Sequence, residues 1–294
     1  MSETPANPDQ SRYWNEQAGP KWAALQRPLD AQLEPLGSAA IAALDLRPGE
    51  RVLDVGCGAG ATTLALAARV APGEVVGLDI SQPLIDAARA RVADRSHLRF
   101  ELGDAQTTRF AAPFDVVYSR FGVMFFADPV AAFTNLRAAL RPGGRLGFVC
   151  WRAMADNPWS TAPLTAALPL LPSPPPPPVP GAPGPFAFAD GDRVRQILAD
   201  AGFADITVTP HDEPMVLAGD GFEATVDTTL QIGPLGHALA GAPPELRAAV
   251  RAAVRDVLAR HLGPRGVTLM SGTWQVHARR DGSTARPSGP GSIP

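Results

Sequence analysis

Residues 52–60 read VLDVGCGAG. A short apolar run carrying one carboxylate, Asp54, passes straight into three glycines, Gly56, Gly58 and Gly60, separated by small residues. Bare backbone at a strand end lets a ligand come close to main-chain N–H groups. Two kinds of ligand suit such a turn: the phosphates of a dinucleotide, or a cationic group drawn to Asp54. The reading of the chain turns on that choice.

Working outward, RPGE (47–50) is a turn before the motif, and a strand–helix alternation follows it. RVLDV is the first strand and TTLALAARV a helix. VVGLDI (75–80) is the second strand, with Ser81 as the expected N-cap of a helix whose stripe is Leu84, Ala88 and Val92. HLRFELGD (97–104) and FDVVYSR (114–120) are strands three and four. Asp128-Pro129 opens the next helix, and its stripe is Val130, Phe133, Leu136 and Leu140. RPGG closes that helix, and RLGFVCW (145–151) is strand five. Repeated apolar strands alternating with helices predict an α/β fold: a doubly wound, mostly parallel sheet with helices on both faces. Ligands bind such sheets beyond the C-terminal strand ends.

The glycine spacing leaves the dinucleotide open, because G-C-G-A-G-A also satisfies a loose G-x-G-x-x-A pattern. Asp79, ending strand two, suits the ribose of any adenosine ligand and does not discriminate. Asp54 does. A carboxylate beside the glycine turn and helix N-terminus would repel a pyrophosphate but attract a sulfonium or ammonium group.

The segments VLDVGCGAG, LDIS, GDA and LRPGGRL together resemble the class I S-adenosylmethionine-dependent methyltransferases, strongly over about 50–151 and weakly near 202–210. The resemblance implies a seven-stranded sheet whose last strand is antiparallel and inserted beside the fifth. It implies that Asp54, Gly56, Gly58 and Gly60, with Cys57 between them, line the methionine side of S-adenosylmethionine. Asp79 would bind the ribose hydroxyls and Ile80 would pack on the adenine. Asp104 and Ala105 would read the adenine edge, and Ser119 and Arg120 would contact the methionine group or the substrate. For Cys57 the residue itself suggests only a small side chain tolerated in a tight turn. Arg120 equally suits pairing with a carboxylate.

The expected organisation is a disordered tail (1–10), an N-terminal helical lid (11–46), a cofactor-binding core (47–151) and a Pro-rich connection (152–189). A core helix and sixth strand (190–210), a cap insertion with an amphipathic helix (211–266), the last core strand (267–280) and a disordered tail (281–294) complete it. PPPPP (174–178) reads as a stiff surface connection or a partner-binding motif. The lid and the insertions after strands five and six are expected to form a cap and acceptor pocket. In the lid, Trp14 and Trp22 are expected either to close over the cofactor or to pack the helices. A roomy cap favours a bulky, fairly apolar small molecule as acceptor. Transfer is an in-line displacement, with S-adenosylhomocysteine as product. Should the acceptor need to lose a proton, His237 and His211 are the candidate bases. The alternatives are a nicotinamide-dependent oxidoreductase and a non-catalytic adenosyl-binding or partner protein.

Bulk composition narrows the classes. In 294 residues there are 26 Lys+Arg against 29 Asp+Glu, a net charge of -3. That balance, with Lys21 the sole lysine, does not suit a nucleic-acid partner. Two cysteines, Cys57 and Cys150, end strands two positions apart, about 10 Å at the usual spacing, too far to bridge. A polar start and no membrane-length apolar run lead to the expectation of a cytoplasmic protein, monomer or homodimer, without a membrane. The scattered histidines and cysteines suggest no metal.

Overall fold

The computed structural model describes residues 7–92, 97–174, 179 and 181–282. Its N-terminal part is helical: α1 (Pro8–Arg12), a single π turn (Tyr13–Gln17), α2 (Ala18–Ala24) and α3 (Gln26–Ala42). Helix thus begins inside the expected tail 1–10, with Pro8 at the first helical position, where no N–H is needed. Residues 1–6, 175–178, 180 and 283–294, which hold the rest of the expected tails and most of the proline run, lie outside the described residues.

Then come β1 (Arg51–Val55), α4 (Ala61–Val70), β2 (Glu74–Asp79), α5 (Gln82–Ala90), β3 (Leu98–Leu102), β4 (Phe114–Arg120), α6 (Pro129–Ala139) and β5 (Leu140–Trp151). Strand β5 starts earlier than expected. RPGG lies within it as an irregularity, where the register against β4 jumps from Leu140 to Arg145. Next are α7 (Pro158–Ala167), α8 (Gly191–Asp200) and β6 (Ala204–Val216). Last are α9 (Phe222–Thr229), α10 (Gly233–Ala238), α11 (Pro244–Ala259), a two-residue β7 (Leu262–Gly263) and β8 (Gly266–Arg279).

The strand order is β3-β2-β1-β4-β5-β8-β6, with β7 paired only to β8. Strands β1 to β5 pair in parallel, and β8 runs antiparallel between β5 and β6. This is the expected seven-stranded order with one short added ladder. Apolar faces on both sides of the sheet build the core: Phe114, Tyr118, Phe133, Phe148 and Phe188 are among the largest fully buried side chains. Each such ring contributes roughly 1.5–3 kcal/mol through removal from water.

Two boundaries differ from expectation. Strand β6 continues past Pro210 to Val216, in register with β8 down to Val216 opposite Thr268. Pro210 reads as the end of strand six, but β6 is the sheet edge, where the missing N–H of a proline costs no ladder bond. The cap insertion therefore starts at Leu217, not 211. Within the expected connection 152–189, α7 is a full helix. Pro158 occupies its first turn, and Asn157 supplies the carbonyl for the Ser160 and Thr161 N–H groups.

The site-bearing strand ends are locked by a backbone contact. A Cβ on Gly122, after β4, would lie 2.8 Å from the Val55 carbonyl oxygen and 2.9 Å from Gly56 Cα. Gly122 has φ -86°, open to any residue, so the constraint there is purely steric. We expect Gly122→Ala to lower stability by about 1–3 kcal/mol, read from the urea midpoint. An unchanged midpoint would mean that the two turns separate at no cost.

Candidate cofactor site

Strand β1 carries Asp54 beneath the first turn of α4. Its side chain is fully buried, and Oδ2 accepts hydrogen bonds from Thr62 Oγ1 (2.6 Å) and Thr63 Oγ1 (2.7 Å), both in the first turn of α4. Oδ1 is buried with no partner. A buried carboxylate with an unused oxygen carries a large desolvation cost and an open acceptor site. Burial pushes the Asp54 carboxyl up to about 6, against the pull of the two threonine hydroxyls and of the Arg120 charge, while the nearby Asp79 charge adds to the rise.

The glycine turn follows. Gly56 abuts Gly122 as described. Gly58 has φ +55° and open space where a Cβ would stand, so its backbone is accessible to a ligand. Its N–H donates to Asp79 Oδ2 (2.8 Å), while Asp79 Oδ1 accepts the Ser81 N–H (2.9 Å). Asp79 thereby ties the β1 turn to the β2 turn. Burial raises its pKa, and the backbone N–H bonds pull it back. Each carboxylate oxygen retains a lone pair for a ligand hydroxyl. Cys57 is buried and burial pushes its thiol well up, which makes it inert and agrees with the small-residue reading.

At β3, Asp104 Oδ1 accepts the Gln106 N–H, and Oδ2 is buried without a partner. Ala105 is buried beside it, its carbonyl held by Asn135. The two unpartnered oxygens, on Asp54 and Asp104, flank the Asp79 clamp along the strand order β3-β2-β1. Such a set suits an elongated ligand with a cationic end, a vicinal diol and a hydrogen-bond-donating ring, and offers nothing to neutralise a diphosphate.

Other expected contacts are already engaged. Ser119 is fully buried; its hydroxyl donates to the Val55 carbonyl (2.7 Å) and accepts the Gly122 N–H. It braces β4 against β1 and does not face a ligand. Arg120 pairs with Asp30 of α3 at 3.2 Å. Asp30 also holds Arg91 (2.7 Å), which reaches the Ala59 carbonyl of the glycine turn. The carboxylate-pairing reading of Arg120 is the one observed.

The N-terminal helical segment packs on the β2–α5 turn through Trp14 and Ser81, which the sequence singles out, and through Asn15, which it does not. Ser81 sits at the N-cap of α5, but its hydroxyl donates instead to the Trp14 carbonyl (2.8 Å). Asn15 caps the helix in its place: Oδ1 accepts the Gln82 N–H (2.9 Å) and Nδ2 donates to the Ile80 carbonyl (3.0 Å). Trp14 packs edge-on against Trp22 and against Phe125, in the turn after β4. The N-terminal segment thus bridges the β2 and β4 ends, on either side of the glycine turn. Asn15 lies 67 residues before Gln82, so no local pattern reveals it.

The two candidate bases are not brought to this site. His211 lies on edge strand β6 with Nε2 3.1 Å from Glu213 Oε2. It stands three strand spacings, about 14 Å, from β4. His237 is exposed on α10. His211 is expected beyond the sheet because Pro210 reads as the end of strand six, whereas His237 does lie in the segment after β6, on α10. Among the described residues, no group of three or more His, Cys, Asp or Glu is placed to hold a metal ion. No helix there is long and apolar enough to cross a membrane.

The Asp54 carboxyl has a measurable consequence. Its folded pKa, about 6, exceeds the ordinary unfolded value. Its contribution to stability is therefore fully present below about pH 4 and lost as pH rises through the folded value, by up to roughly 3 kcal/mol. We expect the urea stability of the wild type to fall more between pH 5 and pH 8 than that of Asp54→Asn. Parallel pH profiles would disprove a strained, titrating Asp54.

Residues 52–144 match a family model described as a methyltransferase domain. An uncharacterized 37.1 kDa protein in transposon TN4556 of Streptomyces fradiae is 40% identical over 171 residues, covering 57% of this chain and 47% of the relative. The nocamycin O-methyltransferase of Saccharothrix syringae is 42% identical over 108 residues, 35% of this chain and 39% of that protein. The chain spans about half the length, or less, of these curated relatives. A phosphoethanolamine N-methyltransferase of Haemonchus contortus, solved with S-adenosyl-L-methionine, shares the fold at TM-score 0.57 and 15% identity, over 92% of this chain and 59% of that one. The chain thus carries, at 52–144, a segment similar to a methyltransferase domain, within a fold that it shares with a solved methyltransferase.

Proposed function

We propose that the protein transfers the methyl group of S-adenosylmethionine to a small, largely apolar molecule. The observation that carries this reading is the unpartnered Oδ1 of buried Asp54 beside the open backbone of Gly58. When bound, the cofactor supplies a methyl group on a cationic sulfur; the acceptor's nucleophile bonds to that carbon as the carbon–sulfur bond breaks, leaving S-adenosylhomocysteine.

The residues would divide the task as follows. Asp54 Oδ1 accepts from the α-ammonium group, which replaces the solvation that burial removed. Asp79 takes the ribose hydroxyls, already oriented by its two backbone bonds. Asp104 Oδ2 takes the adenine amino group, and Ile80, half-buried at the β2 end, packs on its ring. The lid, pinned by Asn15 and Ser81, excludes water and holds the turns in place, so that catalysis rests on alignment. No histidine among the named candidates is assigned as base.

An apolar acceptor is supported by a row of rings leading from the strand ends into the cap. Phe121 stacks on Trp151 at 4.1 Å, Trp151 lies 4.8 Å from Trp159, and Trp159 lies 6.5 Å from Phe186. The Saccharothrix relative, named for methylation of nocamycin, agrees with a small-molecule acceptor.

Calorimetry tests the reading. We expect S-adenosylhomocysteine to bind and NADH not to. Asp79→Asn should weaken S-adenosylhomocysteine at least tenfold, about 1.4 kcal/mol. A cation beside Asp54 lowers its pKa, so binding near pH 6 should release protons, seen as a dependence of the heat on the buffer's ionisation enthalpy. Binding of NADH in place of S-adenosylhomocysteine would sink the proposal.

A further inference from the structure

Away from the cofactor turns, a crevice lies between α3, α7 and the α9–α10 arm. Its walls include Gln32, Trp159, Ser160, Leu217, Ile232 and Leu235. Ser160 is 5% exposed, and its Oγ is buried without a hydrogen-bond partner. A hydroxyl left unpaired inside an apolar wall costs free energy until something binds it. Gln32, 6% exposed, accepts the Ala218 N–H on its Oε1 at 2.6 Å, which leaves its amide NH2 as the remaining donor.

The opposite wall is rigid. Trp159 Nε1–H donates to Asn157 Oδ1 at 2.8 Å. Asn157 is fully buried, its Oδ1 also takes the Gly272 N–H, and its Nδ2 donates to the Ala153 and Gly272 carbonyls. The Trp159 plane is therefore fixed to β8 and to the exit of β5. Through Trp151 and Phe121 it connects to the end of β4, at the mouth of the cofactor site.

As it stands, the crevice is a cavity of about 20 Å³, room for about one water. A larger occupant requires the third wall, the α9–α10 arm, to move outward. Gly221 before α9 and Gly241 after α10 both have positive φ, with open space where a Cβ would stand. The arm's ion pairs to α11, Arg251 with Glu223 and Asp227, are partly exposed and contribute little, so Val226, Leu235 and Leu239, buried in the core, are what anchors it.

We infer that this crevice is the acceptor site and that it takes a flat apolar molecule bearing a hydroxyl or carbonyl group. Trp159 is the stacking wall, and Ser160 is the specificity-determining contact. The inference rests on the methyl-transfer reading above.

The full chain labelled with 5-fluorotryptophan tests it. The five tryptophans give separate fluorine signals, and Trp159→Phe assigns the relevant one. Titration with 1-naphthol as probe is expected to move the Trp159 signal and leave that of Trp274 in place. Ser160→Ala should raise the 1-naphthol Kd at least about threefold, as expected for one lost hydrogen bond, with Tm not lowered and S-adenosylhomocysteine affinity unchanged. A Trp159 signal unmoved at saturating 1-naphthol would overturn the site. An unchanged Kd in Ser160→Ala would overturn the role of Ser160 and leave its hydroxyl to a buried water. S-adenosylhomocysteine is titrated separately. Its failure to bind the wild type would reject the methyl-transfer reading, while the naphthol result still decides whether the crevice is a ligand site.

Discussion

The cost of burying Asp54 governs this architecture. A carboxylate at the inner end of the first strand is stripped of water, given two threonine hydroxyls on one oxygen and nothing on the other. Such a group is stable only where the surrounding backbone cannot relax toward it. Here the rigidity comes from the abutting glycines, Gly56 and Gly122, and from Ser119, which joins β1 to the turn after β4. Packing in the strand ends therefore leaves the Asp54 oxygen unpaired, and the electrostatic demand it leaves is for a hydrogen-bond donor or a positive charge.

A second constraint spans the long-range structure. The helix after β2 does not cap itself. Its N-terminus is completed by Asn15, and the Ser81 hydroxyl is spent on the Trp14 carbonyl. Docking the N-terminal segment and finishing α5 are thus one event. Folding of the N-terminal helices and order in the adenosine-side turn are coupled, as are α3 and the glycine turn through Asp30, Arg91 and Arg120. Polar pairs that are partly buried and shared among three elements act as registration devices more than as sources of net stability.

Much of this is legible in the linear chain. The strand–helix alternation, the Asp54–glycine turn and the placement of Asp79 and Asp104 are local patterns, and each rests on neighbours a few residues away. Departures arise where local signals mislead. Pro210 looks like the end of a strand, but an edge strand tolerates it, so His211 belongs to the sheet and not to the expected cap. Proline density masks α7, although Pro158 stands where a helix accepts it. Ser81 has the right residue type for a cap, but a distant competitor takes the position.

The sequence by itself determined the order of strands and helices and the glycine turn beside Asp54, because these depend on periodicity, glycine conformation and charge within short windows; the roles expected of the carboxylates toward an adenosine ligand come from the resemblance. Only the tertiary structure decided which polar groups remain free. Asp54 Oδ1, Asp104 Oδ2 and Ser160 Oγ are unpaired, whereas Ser119, Arg120 and Ser81 are already engaged. Availability for binding is a property of what surrounds a group after the chain has folded, and those surroundings come from elements tens of residues away.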